Sequence, residues 1–153
     1  MLNFRLAKES DVDLYFAWAN DETVRENSFS SQPINYEEHV SWFLSKLSSK
    51  KVFFYLFSDS QGLNVGQVRI EQKNDETVIG ISIDKNHRGK SYGTIMLEIA
   101  SNDFYKNFSF MPINAYIKIS NLPSLKIFTK AGFKNPENQI IGDCQSIKLT
   151  KFA

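Results

Sequence analysis

A chain of 153 residues, 42% hydrophobic and 23% charged, has the proportions of a soluble globular domain spanning 1–153. A chain of this size buries roughly 68–70% of its unfolded surface. Its 18 Lys and Arg against 17 Asp and Glu leave a net charge of +1, which excludes nucleic acid gathered by a strong basic field. Cys144 is the single cysteine, so an intrachain disulfide is excluded, and the two distant histidines, His39 and His87, exclude a Cys/His metal cluster. No stretch approaches the roughly 18 consecutive apolar residues of a membrane span, so a cytoplasmic protein with no membrane partner is expected.

In chain order, residues 3–7 alternate and predict a first strand. Ser10-x-x-Asp13 has the form of a capping box, opening a helix that carries Val12, Leu14, Tyr15 and Trp18 and ends near Asn20. Residues 24–34 are polar, hold Pro33 and show no period, which predicts a loop. A second box, Asn35-x-x-Glu38, opens a short amphipathic helix carrying Val40, Phe43, Leu44 and Leu47. Strands follow at 51–57 and 63–71, and a turn at 73–75 leads into a β-branched, apolar strand at 77–84. A helix then runs to about Asn107, followed by a strand at 112–119. Asn121 caps another helix, with Pro123 early in it and Gly132 just past its end, and 145–150 alternate as a closing strand. The order β-α-α-β-β-β-α-β-α-β predicts an α+β fold built on a mixed sheet.

The chemistry concentrates where the 77–84 strand meets the next helix. The turn from His87 to Thr94 holds Arg88, Gly89, Lys90 and Gly93. A basic, glycine-containing turn between strand and helix converges main-chain N–H groups and the positive end of the helix dipole. It suits an anion, phosphate above all. The P-loop pattern GxxxxGK[ST] and the dinucleotide pattern GxGxxG are both absent.

Arg88-x-x-Ser91-x-Gly93 resembles the Arg/Gln-x-x-Gly-x-Gly/Ala pyrophosphate loop of the GNAT acetyltransferase superfamily. Asn121-x-x-Ser124-x-x-x-Phe128-x-Lys130-x-Gly132-Phe133 is similar to that superfamily's Asn-x-x-Ser-x-x-x-Tyr-x-Lys-x-Gly-Phe segment, and it follows the loop at the expected distance. The order of elements matches across essentially the whole chain. The resemblance implies the GNAT acyl-CoA N-acyltransferase fold and an N-acetyltransferase that uses acetyl-CoA and no metal. It implies that Arg88, Gly89, Lys90, Ser91, Tyr92, Gly93 and Thr94 surround the pyrophosphate, largely through main chain. The backbone of Ile81, Ser82 and Ile83 would pair with the pantetheine arm along a splayed strand edge. Asn121, Ser124 and Phe128 would complete the cofactor site, a role for Asn121 that is compatible with helix capping.

Two positions depart from the family pattern. Ser91 stands where glycine is usual, and a left-handed backbone there costs a non-glycine residue roughly 1–2 kcal/mol. Phe128 stands where many relatives have a tyrosine that protonates the departing thiolate, so either another group is the acid or the thiolate leaves unassisted.

An amine that attacks a thioester must first lose its proton. Candidate bases are Glu71 and Asp84, with Ser82 and Tyr116 as positioning groups. On the substrate side, Trp18, Asn20, Asp21, Arg25, Ser28, Phe29, His39, Trp42 and Phe43 resemble a GNAT subgroup that acetylates the 4-amino group of nucleotide-linked sugars in surface-polysaccharide pathways. That resemblance implies Arg25 for a phosphate, Phe29 and Trp42 for stacking, and Ser28 and His39 for hydroxyls. The same aromatics could equally pack two helices together, with Arg25 a surface charge. Acetylation of a protein or peptide amine, and a CoA-binding module without catalysis, stand as alternatives. A homodimer is left open.

Overall fold

A computed structural model describes residues 1–153. Seven strands form one mixed sheet: β1 (Asn3–Leu6), β2 (Val52–Ser58), β3 (Asn64–Lys73), β4 (Glu76–Ile83), β5 (Ile113–Lys118), β6 (Lys134–Ile141) and β7 (Cys144–Lys151). Five α-helices accompany them: α1 (Val12–Ala19), α2 (Glu22–Asn27), α3 (Tyr36–Ser48), α4 (Tyr92–Asn107) and α5 (Leu122–Lys130). The strand order is β1-β2-β3-β4-β5-β7-β6, and every pairing is antiparallel except β4 with β5. This is the mixed α+β architecture expected from the order of elements.

The parallel pair positions the site. Its register runs Thr77↔Ile113, Val78↔Asn114 and Ile79↔Ala115, and there it stops. On its other side β4 stays paired with β3 along its whole length, through Gly66↔Ile83. The main chain from Gly80 to Ile83 therefore has no strand partner on the β5 side. A wedge opens between the carboxyl ends of β4 and β5, the end of a sheet where ligands collect in α/β proteins.

Each face of the sheet carries its own apolar cluster, because side chains alternate along a strand. On one face Tyr55, Phe57, Val68, Ile70 and Ile79 meet Met96, Leu97, Ala100 and Phe104 of α4 and Phe128 of α5. On the other, Phe54 and Leu56 meet Tyr15 and Trp18 of α1 and Phe43 of α3. β2 thus buries both its faces, which explains its unbroken apolar run.

Three local expectations are corrected. The first helix is not opened by a Ser10 box: a 3-10 turn, Glu9–Asp11, precedes it, and Asp11 accepts the Lys8 N–H at 2.7 Å while Arg5 donates two bonds to its carboxylate at 2.8 and 2.9 Å. Part of the 24–34 stretch read as a loop is α2, capped by Asp21, which accepts from the Val24 N–H. This helix buries no residue, so it has no apolar period to read. Finally, the strand β6 was not foreseen. It lies at the sheet edge, holds Pro136 at an irregularity in its register, and is exposed along most of its length.

Candidate active site

The wedge becomes a cleft of about 560 Å³, walled by β4 from Ile79 to Ile83, by the turn after it, by Tyr116 and Ile117 of β5, and by α5. At its floor the chain turns through Gly89 (φ +79°) and Ser91 (φ +63°), and α4 begins. Ser91 does take the left-handed backbone, at that cost of roughly 1–2 kcal/mol. Its side chain does not cap the helix, so the first N–H groups of α4 have no acceptor of their own and are free for an anion. Gly93 is needed for close approach. A Cβ there would lie 2.6 Å from Ile127 Cδ1 and 3.2 Å from Ile83 Cδ1, so its absence lets α4 start against both α5 and β4.

The expected cofactor residues largely converge. Ile81, Ser82, Ile83, Arg88, Gly89, Ser91, Tyr92, Gly93, Asn121, Ser124 and Phe128 all line the cleft, whereas Lys90 and Thr94 do not. Arg88 donates from Nη2 to Asp21 at 2.7 Å, fastening the turn to the cap of α2. Asn121 is a true N-cap, accepting from the Ser124 N–H at 3.3 Å. Phe128 is buried and meets Phe133 edge-on at 5.1 Å. Unpaired strand backbone beside a helix N-terminus matches a long ligand with amides along its arm and an anion at one end, which is the chemistry of coenzyme A.

The catalytic expectations fare differently. Glu71 lines neither cavity, and its carboxylate is bonded by Lys46, with Arg69 at 3.9 Å. Asp84 also lines neither cavity. Burial works to raise its carboxyl, but bonds from Trp18 Nε1 at 2.9 Å, the Asn86 N–H at 3.0 Å and His87 hold it below the usual carboxylate range. Both carboxylates are consumed by structure and are withdrawn as bases. Tyr116 does line the cleft, yet its hydroxyl donates to Glu76 at 2.6 Å. Burial, then the Glu76 carboxylate, push this phenol up to about 12, so it stays neutral. Ser82 faces the cleft and accepts from Gln67 Nε2 at 2.9 Å.

A second cavity of about 530 Å³ lies on the α1/α3 face of the sheet. It shares Val24, Ser28, Gly80, Ile81 and Ser82 with the cleft, so the two meet where β4 loses its partner. Arg25, Ser28, His39 and Trp42 line it; Phe29 does not. Arg25, expected to face a phosphate, spends its donors on the protein. Nε bonds the Ala19 carbonyl at 2.7 Å, Nη1 the Ser30 and Gln32 carbonyls, and Nη2 the Ser28 hydroxyl. Four of its five N–H groups are thus committed to holding the α2 region. His39 is buried, its Nε2 against the Val12 carbonyl at 3.0 Å, and desolvation lowers its pKa so that the ring is neutral.

Sequence reading missed Tyr15, Gln67 and Arg69 on this wall. A signal existed: Gln67, Arg69 and Glu71 alternate on one face of a strand whose other face, Val68 and Ile70, is wholly buried. A polar row across the middle of a sheet, under two helices, sets this wall apart from the apolar core on the opposite face.

No group of three or more His, Cys, Asp and Glu side chains is arranged to hold a metal ion, and no helix is long and apolar enough to cross a membrane. Over 139 residues the chain is 27% identical to YwnH of Bacillus subtilis (strain 168), provisionally named a phosphinothricin acetyltransferase, covering 86% of this chain and 83% of that protein. It is also 27% identical over 137 residues to MJ1062, an uncharacterized protein of Methanocaldococcus jannaschii; that match covers 85% of this chain but only 27% of the other. Spermidine N-acetyltransferase of Vibrio cholerae, solved with CoA and spermine, superposes with a TM-score of 0.85 at 16% identity over 97% of this chain and 93% of its own. The model of the acetyltransferase (GNAT) domain matches residues 1–134, and the chain belongs to this family of N-acetyltransferases, whose acetyl donor is acetyl-CoA.

Proposed function

We propose that the chain acetylates the primary amine of a small molecule held in the second cavity, and that this molecule is a nucleotide-linked sugar acetylated at its 4-amino group. The observation that carries the reading is the junction of the two cavities at Gly80, Ile81 and Ser82, beside the unpaired backbone of β4. A donor lying along that backbone meets an acceptor entering from the α1/α3 side. A cavity of about 530 Å³ suits a ligand of sugar size, and Trp18, His39 and Trp42 give it stacking walls.

Acetyl-CoA supplies the acetyl group as a thioester. The acceptor nitrogen bonds to the acetyl carbon, the C–S bond breaks, CoA leaves as its thiolate, and the nitrogen's surplus proton passes to water. On this reading the chain contributes placement. Free N–H groups at the start of α4 hold the pyrophosphate, the Gly80–Ile83 main chain aligns the arm, and the Gln67–Ser82 pair borders the meeting point. With Glu71 and Asp84 tied elsewhere, the amine enters as its free base, which suits a sugar amine better than the more basic lysine side chain.

A peptide acceptor is the weaker reading, because the cavity wall carries two arginines, Arg25 and Arg69, and one carboxylate, Glu38. Such a wall repels a cationic substrate. The test is thiol release from acetyl-CoA with a UDP-linked 4-amino-4,6-dideoxyhexose, run beside peptides with free N-termini and lysines. Turnover on the sugar alone is expected; turnover on peptides alone would overturn the reading.

A further inference from the structure

The second cavity holds three polar groups whose hydrogen-bonding capacity the protein leaves open. Arg69 donates no hydrogen bond; its one carboxylate contact is a long ion pair with Glu71 Oε1 at 3.9 Å, the other oxygen of Glu71 being held by Lys46, and its side chain is 37% exposed. Its guanidinium lies over the Trp42 ring at 5.2 Å from the centroid, which fixes its direction without neutralising it. The Tyr15 hydroxyl and Gln67 Oε1 are buried with no hydrogen-bond partner, on a residue only 4% exposed in the case of Tyr15. All three residues line the same cavity.

Sheet register arranges them in two rows. Phe54, Arg69 and Gly80 stand side by side across β2, β3 and β4, as do Leu56, Gln67 and Ser82. Tyr15 packs edge-on against Phe54 at 5.3 Å, which brings it to the Arg69 row. A Cβ at Gly80 would meet nothing within 4 Å, so the floor beside Arg69 is open. Buried donors and acceptors in folded proteins are nearly always satisfied, and a guanidinium with no hydrogen-bond acceptor keeps its donors available for a charge-assisted contact. Two unpaired buried atoms beside a guanidinium with free donors call for a ligand with complementary atoms.

We propose that the acceptor is an amine bearing an oxyanion, a phosphate or a carboxylate, and that Arg69 with the Tyr15 hydroxyl receives this anion while Gln67 and Ser82 receive the amine end. The two rows are two residues apart along β4, so amine and anion are separated by roughly 7 Å. This rests on the acetyl-transfer reading above and replaces Arg25 with Arg69 as the anion receptor. It also separates this site from one built for a polyamine, which has no anion to offer.

Tryptophan fluorescence of the CoA-saturated protein tests it through binding. Two matched pairs are titrated: 4-amino-4,6-dideoxyhexose 1-phosphate against the methyl glycoside of the same sugar, and 5-aminopentanoate against pentylamine. The anionic member of at least one pair is expected to bind about tenfold tighter or more, as a charge-assisted contact gives, and the preferred pair identifies phosphate or carboxylate. Arg69→Gln should erase that preference and Arg69→Lys keep part of it, with CoA affinity unchanged in both. Tyr15→Phe removes an unpaired buried hydroxyl, so it should weaken the anionic ligand while leaving the melting temperature unchanged or raised. Equal binding within both pairs, or a preference that survives Arg69→Gln, would overturn the proposal. Failure to bind CoA at all would instead fall on the acetyl-transfer reading.

Discussion

Ser91 and Phe128 show how single side chains set the terms of this site. Ser91 holds φ +63° at the start of α4 with no capping bond to offset the strain. Ser91→Gly removes a penalty of about 1–2 kcal/mol but adds chain entropy worth about half as much. A net gain of about 0.5–1 kcal/mol in urea denaturation is expected, and a loss would mean that the serine makes a contact of its own. Phe128 has no proton to give, and of the two phenols on the cleft Tyr116 is committed to Glu76, while Tyr92 opens α4 beside the anion turn. On the proposed reading the thiolate leaves without a side-chain acid, which predicts that Phe128→Tyr keeps the turnover number within about twofold. A rise of tenfold or more, on the order of general-acid catalysis, would show that the missing hydroxyl limits the reaction. Both departures were legible as letters in a motif. Tyr15, Gln67 and Arg69 were not, because their meaning lies in bonds they do not make, and a sequence shows no unpaired atoms.

Among the elements, β4 and its turn were read correctly because a long apolar run and a glycine-bearing basic turn are strong local signals. The partial loss of its pairing with β5 is different in kind: no residue in 80–83 announces it, and it entered only through resemblance. α2 and β6 escaped for a shared reason. Neither buries an apolar face, so periodicity had nothing to register, and each is held by polar or main-chain bonds instead. For α2 that contact is Arg25, whose guanidinium spans the Ala19, Ser30 and Gln32 carbonyls. Lysine cannot reproduce that fork. Arg25→Lys should therefore lower stability by about 2 kcal/mol in urea denaturation. An unchanged midpoint with a raised Michaelis constant for the acceptor would return Arg25 to a substrate role. Its type and position had suggested such a role; only the geometry reveals the competing carbonyls.

For the molecule as a whole, pH acts on the face that carries the second cavity. His39 is packed among Phe16, Trp42 and Phe43, and desolvation depresses its pKa despite Asp13 nearby. Below the ordinary histidine value of about 6.5 the unfolded chain takes up a proton that the folded chain resists. Stability then rises with pH in that window and falls on acidification through it. The melting temperature should drop as pH falls from about 7 toward 5, and His39→Gln should flatten that slope; an equal slope in the variant would assign the effect to other groups.

The central claim is that the wedge between β4 and β5 receives the donor through main-chain groups. Amide hydrogen exchange with and without coenzyme A tests it most directly. Slower exchange confined to residues 80–83 and 88–94, together with the N-terminal turn of α5, is the expected result. Unaltered exchange across those residues in protein saturated with coenzyme A would contradict the account and place the donor elsewhere.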